Sequence, residues 1–176
     1  MTPAPDRLPR GWTIAPLAPD DCDELGRVHM DVWRDAYAHV MPADYLAGLR
    51  SERSAARWRE LAQRPADAGQ RTLVVRDDDD RIVGFASAGP SRDDDAPTAW
   101  ELYAVNLAPA ARGTGVADLL LDELVGGRDV TLWVVEANDR ARAFYTRRGF
   151  VDEGGRSEHE ATGTPEIRMV RRTPPG

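Results

Sequence analysis

Residues 107–124, LAPAARGTGVADLLLDEL, set an arginine and two closely spaced glycines at the mouth of an apolar run with helical spacing. Backbone N–H groups in a first helical turn have no intrahelical partners, and the helix dipole adds partial positive charge there. Gly113 and Gly115 let a ligand approach that backbone closely, and Arg112 adds a formal charge beside the same amides. This chemistry suits a diphosphate. Upstream, His29, Trp33 and Tyr37 recur every four residues. On a helix they form one stripe, which could line an acceptor pocket; packing of a helix flank on its neighbour explains the spacing equally well. His39 and His159 are expected at the surface. No spacing among Cys22 and the three histidines resembles a metal site, so no metal is expected. Nothing places a base beside Cys22, whose expected role is a small buried hydrophobe.

The elements that would position these residues follow from periodicity. A short strand over residues 12–17 gives way at Pro19 and the Asp20/Asp21 pair to a helix with Leu25, Val28, Val32 and Ala36 on its core face. A further helical stretch follows Pro42, with Tyr45, Leu46, Leu49 and later Trp58 and Leu61. TLVVRDDDDRIVGFASAG reads as a hairpin around an acidic turn, and a strand over residues 99–107 follows a loop at 90–97. The order then becomes helix (115–125), strand (130–135), helix (139–148) and a terminal hairpin of 150–156 with 166–171. An antiparallel meander thus leads through one βαβ unit, and the glycine-rich turn lies inside it. The fold class is α/β: a mixed, mostly antiparallel sheet of about seven strands flanked by about four helices. The 176 residues are expected to form one domain, with residues 1–10 and 172–176 loose.

Composition excludes several classes of function. Thirty acidic residues against 23 basic ones give a net charge of −7, with acidic groups at 20–24, 77–80 and 93–95. Such a surface repels phosphate backbones, so nucleic acid is not an expected partner. Every basic residue is arginine, which removes Schiff-base chemistry and the phosphate-gripping lysine of a P-loop. A lone cysteine makes no internal disulfide, no apolar run approaches the roughly 18 residues of a membrane span, and MTPAPDRLPR lacks the apolar core of a signal peptide. A cytoplasmic location without membrane association is the expectation.

Two kinds of nucleotide site compete for the turn. A dinucleotide site would use Gly113-Thr114-Gly115, with Glu136 about 20 residues on to bind a ribose. Its third glycine position is Asp118, however, and five residues separate Leu107 from Gly113 where such a turn would be tight. The alternative rests on Arg112-Gly-Thr-Gly115-Val-Ala117 after the strand ELYAVNLAP, and on WVVEANDRARAFYTRRGF further on. The first segment resembles motif A of the GNAT acetyltransferase superfamily, Q/R-x-x-G-x-G/A after a bulged strand ending in proline. The second is similar to motif B, with Asn138, a helix containing Ala141, Phe144 and Tyr145, and then Gly149-Phe150. HMDVWRDAYAHVMPADYLAGL is similar to the first two helices of many bacterial members.

That resemblance implies an N-acetyltransferase that moves an acetyl group from acetyl-CoA directly to an amine in a ternary complex. Val105, Asn106 and Leu107 would form the strand edge that pairs with pantetheine, with the Leu107 amide polarising the thioester carbonyl. Arg112, Gly113, Thr114, Gly115, Val116 and Ala117 would hold the diphosphate. Asn138 would bond pantetheine or cap the next helix. Tyr145 stands at the family's general-acid position, able to protonate the leaving sulfur, or else is a packing aromatic. Glu101 is the best candidate base, through water, or else a solvated carboxylate at the strand end. The acceptor, a small-molecule amine or a peptide N-terminus, stays open, as do a longer acyl donor and a homodimer. Acidic clusters would steer a cationic amine, although charged loops are commonly just solvated. A degenerate member binding acyl-CoA as a sensor is the rival from the binding class, and Tyr145 and Glu101 argue against it.

Overall fold

A computed structural model describes residues 8–64 and 69–173. The chain runs β1 (Thr13–Pro16), α1 (Cys22–Tyr37), α2 (Ala43–Gly48), α3 (Ser51–Ala62), β2 (Arg71–Arg76), β3 (Ile82–Pro90), β4 (Trp100–Leu107), α4 (Val116–Val125), β5 (Val130–Val135), α5 (Asp139–Arg147), β6 (Val151–Glu158) and β7 (Pro165–Arg171). The strands form a single sheet in the order β1-β2-β3-β4-β5-β7-β6, antiparallel except for β4 beside β5. The mixed seven-stranded sheet is therefore as expected, but it carries five α-helices rather than about four. The run after Pro42 divides because Leu49 and Arg50 take extended backbone between α2 and α3.

One face of the sheet packs on α4 and α5 through Leu102, Leu120, Leu124, Leu132 and Phe150. The other packs on α1 and α3 through Cys22, Leu25, Trp58, Val74 and Phe85. Burial of Cys22 matches its expected role. Helices α1 and α3 cross closely at Gly26, where an added Cβ would stand 2.6 Å from the Ser51 carbonyl oxygen, so only glycine fits. Of the expected α1 core face, Leu25 and Val32 are buried and Val28 half-buried, whereas Ala36 is exposed because the last turn borders a cleft instead of the sheet. Residues 1–7 and 174–176 lie outside the described residues. At the ends that are described, Leu8 packs on the larger core and Thr173 bonds to Asp129, so those parts of the expected loose ends are held.

The feature that positions the site is the parting of β4 from β5. Their parallel pairing is limited to Glu101 opposite Thr131. On the other side β4 stays paired with β3, but the register shifts between Ser87 and Ala88, leaving Tyr103 as an extra residue, a β-bulge. Beyond it β4 leans away from β5 and opens a cleft along its own edge.

Candidate functional site

In an antiparallel ladder, hydrogen-bonded and non-hydrogen-bonded pairs alternate. The Ala108 N–H donates to the Val83 carbonyl at 2.9 Å, so the next hydrogen-bonded pair is Asn106 with Phe85, and Val105 and Leu107 turn their backbone groups toward β5. With β5 splayed away, those groups face the cleft. The expected edge of three residues thus narrows to Val105 and Leu107, because the Asn106 backbone is bound to β3 while its side chain borders the cleft.

The chain then makes a short 3-10 turn at Pro109–Ala111 and enters α4 through Arg112 to Gly115. Gly113 has φ 77° and Gly115 has φ 86°, a left-handed region that strains any L side chain. Thr114 Oγ1 donates to the Ala111 carbonyl at 2.7 Å and accepts from Val116 N–H at 3.4 Å, which fixes the turn. The N–H groups of Gly113, Thr114, Gly115 and Ala117 find no acceptor among the described residues. Four free amides at a helix start form a cradle for an anion. Arg112 does not simply add charge there. Its Nε donates to the Leu107 carbonyl at 3.0 Å and its guanidinium pairs with Asp35 of α1 at 2.5 Å, tying the loop to the first helix.

Across the cleft, Asn138 Oδ1 accepts from Ala141 N–H at 3.1 Å, so this side chain caps α5. Two turns on, Tyr145 is 8% exposed, packed edge-on against Phe144 and Phe150. Its hydroxyl borders the cleft and bonds to no described residue. Burial, and then the neighbouring Tyr37, push its pKa above the ordinary phenol value, so it holds its proton at neutral pH.

Glu101 departs from both readings given above. It is 1% exposed, and its carboxylate accepts from Arg92 Nε at 3.1 Å, Arg92 Nη2 and the Arg92 backbone N–H at 3.0 Å. It lies behind Arg92 and Tyr103, outside the lining of the cleft. A carboxylate so occupied is not solvated, and its oxygens are taken up by Arg92.

The cleft of about 2140 Å³ exceeds the roughly 1000 Å³ upper range of single-ligand sites and has room for two substrates. Its second half is aromatic. Trp33 lies 5.0 Å from Tyr37 and 5.7 Å from His159, ring centre to ring centre, and Tyr45 lies 5.8 Å from His159. The expected pairing of Trp33 and Tyr37 is thus present, but His29 faces differently. Its Nδ1 meets Ser54 Oγ at 3.0 Å, and its ring packs among Trp33, Trp58 and Phe85. Burial, and then Arg57, lower its pKa to about 4, so it is a neutral ring packed between α1 and α3 that still borders the cleft. His159, expected at the surface, is half-buried at the tip of the β6–β7 hairpin against α1 and α2.

A cradle of free amides, an unpaired strand edge and a buried tyrosine therefore share one cleft. The acetyltransferase (GNAT) family model matches residues 31–150. The chain belongs to the GNAT acetyltransferase family. YuaI of Bacillus subtilis, an uncharacterized N-acetyltransferase, is 27% identical over 132 residues, covering 72% of this chain and 73% of that protein. Rv2669 of Mycobacterium tuberculosis, also an uncharacterized N-acetyltransferase, is 30% identical over 144 residues, covering 78% and 87%. The fold is similar to that of PaiA N-acetyltransferase from Thermoplasma acidophilum in complex with coenzyme A, with TM-score 0.72 and 20% identity over 92% of this chain and 98% of that one.

In this GNAT chain the matched stretch ends at Phe150, so the hairpin that carries His159 and Glu166 lies beyond it. Asp35, Arg92, His159 and Glu166 all border the cleft and escaped sequence reasoning. Only the one-in-two alternation of β7 could have drawn attention to Glu166. Asp118, which sat awkwardly at the third glycine position of a dinucleotide site, is buried 3.5 Å from Arg148 Nε, where it serves packing of α4 on the end of α5. No group of three side chains suited to a metal ion occurs among the described residues.

Proposed function

We propose that this GNAT domain transfers an acetyl group from acetyl-CoA directly to an amine while both are bound. The observation that carries the reading is the continuous run of unpaired backbone donors along one cleft wall, from Val105 and Leu107 on β4 to Gly113, Thr114, Gly115 and Ala117 at the start of α4. Amides of the strand edge fit the pantetheine amides of a CoA ester as an added strand, and the cradle at α4 fits its diphosphate. The coenzyme A held by the PaiA enzyme supports that choice of ligand. Leu107 N–H then stands where charge would develop on the thioester oxygen.

Tyr145 supplies the acid. Its hydroxyl stays protonated, borders the cleft and is free to protonate a departing thiolate, which with an intrinsic pKa of about 8.5 gains from receiving a proton at neutral pH. Trp33 and Tyr37 border the space beyond, where an acceptor amine would reach the thioester. The domain is read as cytoplasmic, and no helix among the described residues is long and apolar enough to cross a membrane.

The test is release of free thiol from acetyl-CoA in the presence of a panel of primary amines, set beside calorimetric binding of acetyl-CoA. Binding with amine-dependent thiol release is expected. Binding without release from any amine would leave the sensor reading instead.

A further inference from the structure

Eight carboxylates border the cleft, and seven are occupied or outside its interior. Asp35 pairs with Arg112, Asp118 lies against Arg148, and Asp93 accepts from Trp133 Nε1 at 2.7 Å beside Arg168. Asp44, Glu60, Glu158 and Glu160 are exposed at the rim. The eighth, Glu166, is half-buried and makes no ion pair or side-chain hydrogen bond among the described residues. Its position follows from the ladder. Glu166 is paired with Val135, and directly opposed residues of antiparallel strands point to one face. Val135 packs against Met41, Leu46, Trp33 and Tyr37. Glu166 therefore rises on the aromatic half of the cleft, next to the end of β5 where the strands part.

Resting on the acetyl-transfer reading, we infer that Glu166 is the base that takes the proton from the acceptor, and that the acceptor is a primary alkylammonium compound entering between Glu166 and the rings of Trp33 and Tyr37. A half-buried carboxylate without a partner attracts a cation, and aromatic faces add cation–π attraction for an ammonium group. Burial raises the Glu166 pKa, opposed by the charges of His159 and Arg92, which moves it toward the working pH of a base. Burial and then Glu166 raise the Tyr37 pKa, and Tyr37 in turn acts on Tyr145, so Tyr37 is a neighbour of both.

The proton count closes. The ammonium gives one proton to Glu166, and the freed nitrogen lone pair attacks the thioester carbon. The C–N bond forms, the C–S bond breaks, and the thiolate takes the Tyr145 hydroxyl proton. The nitrogen's second proton restores Tyr145, and Glu166 releases its own to solvent, leaving amide, thiol and one H⁺.

The experiment measures thiol release from acetyl-CoA with short primary alkylamines across pH, for the full chain and three variants. Glu166→Gln should lower kcat/KM by roughly 10²- to 10⁴-fold near neutral pH with acetyl-CoA affinity and melting temperature retained. Its acidic limb should vanish, so that activity climbs with the fraction of free amine, whereas Glu166→Asp should keep a displaced limb. Titratable and charged groups that act on or sense Glu166 are Tyr37 from α1, Arg92 from the loop before β4 and His159 from the hairpin. His159→Gln should therefore keep the limb. An unaltered protein that turns over amines while Glu166→Gln matches its rate and pH profile overturns the inference alone. Absence of thiol release from the unaltered protein with every amine overturns the transfer reading and this inference together.

Discussion

Tyr145 can be tested without disturbing its surroundings. Tyr145→Phe keeps the ring that packs on Phe144 and Phe150 and removes only the hydroxyl, so stability and acetyl-CoA affinity should hardly change. Single-turnover acetyl transfer should fall by roughly 10²- to 10⁴-fold, and rapid-quench kinetics check it. His29 answers to a different measurement. Its pKa lies at about 4 in the fold against an ordinary value of about 6.5. The folded state thus favours the neutral ring, and the stability this brings is complete above pH ~6.5 and lost as pH falls through about 4. On the order of 3 kcal/mol is involved, and urea unfolding of the unaltered protein and His29→Gln between those pH values should show the variant with the shallower loss. The types of these residues were legible in the chain, but their duties were not. Spacing by four made His29 and Trp33 look equivalent, whereas a small rotation around α1 puts one against α3 and the other against the hairpin.

The turn into α4 and the cap of α5 are the local devices that shape the cofactor wall. Gly113 adopts φ 77° with nothing within 4 Å of an added Cβ, so Gly113→Ala meets backbone strain and no clash. It should cost about 1 kcal/mol in thermal or urea unfolding, and the strained turn should also weaken acetyl-CoA binding measured by calorimetry. Both glycines were recognisable because positive φ at a helix entrance demands their type. A bulge was expected from the family's strand, yet its place at Tyr103 and the choice of Val105 and Leu107 over Asn106 came from ladder register, which no residue type announces. The break between α2 and α3 was equally silent, since Leu49 and Arg50 are good helix formers held extended by their surroundings.

Binding of the donor should register on the stability of the entire chain. At a hundredfold excess over its dissociation constant, acetyl-CoA should add about 2.7 kcal/mol, read as a rise in melting temperature, and NAD should add nothing. Stabilisation by NAD alone would overturn the acetyl-CoA assignment. The ordering of strands and helices, the buried faces of most of them and the glycine turn into α4 were determined by sequence alone, because periodicity and glycine act over a few neighbouring residues. Tertiary structure decided the rest. Glu101 and Glu166 are both glutamates in strands, and local pattern cannot separate them. Arg92, nine residues before Glu101 in the chain, folds back to consume one carboxylate, while the pairing of β7 with β5 lifts the other into an aromatic cleft with no ion-pair partner among the described residues. Whether a carboxylate is neutralised or left free depends on which charges the fold brings within a few ångströms, and that distance is set by chain segments far apart in sequence.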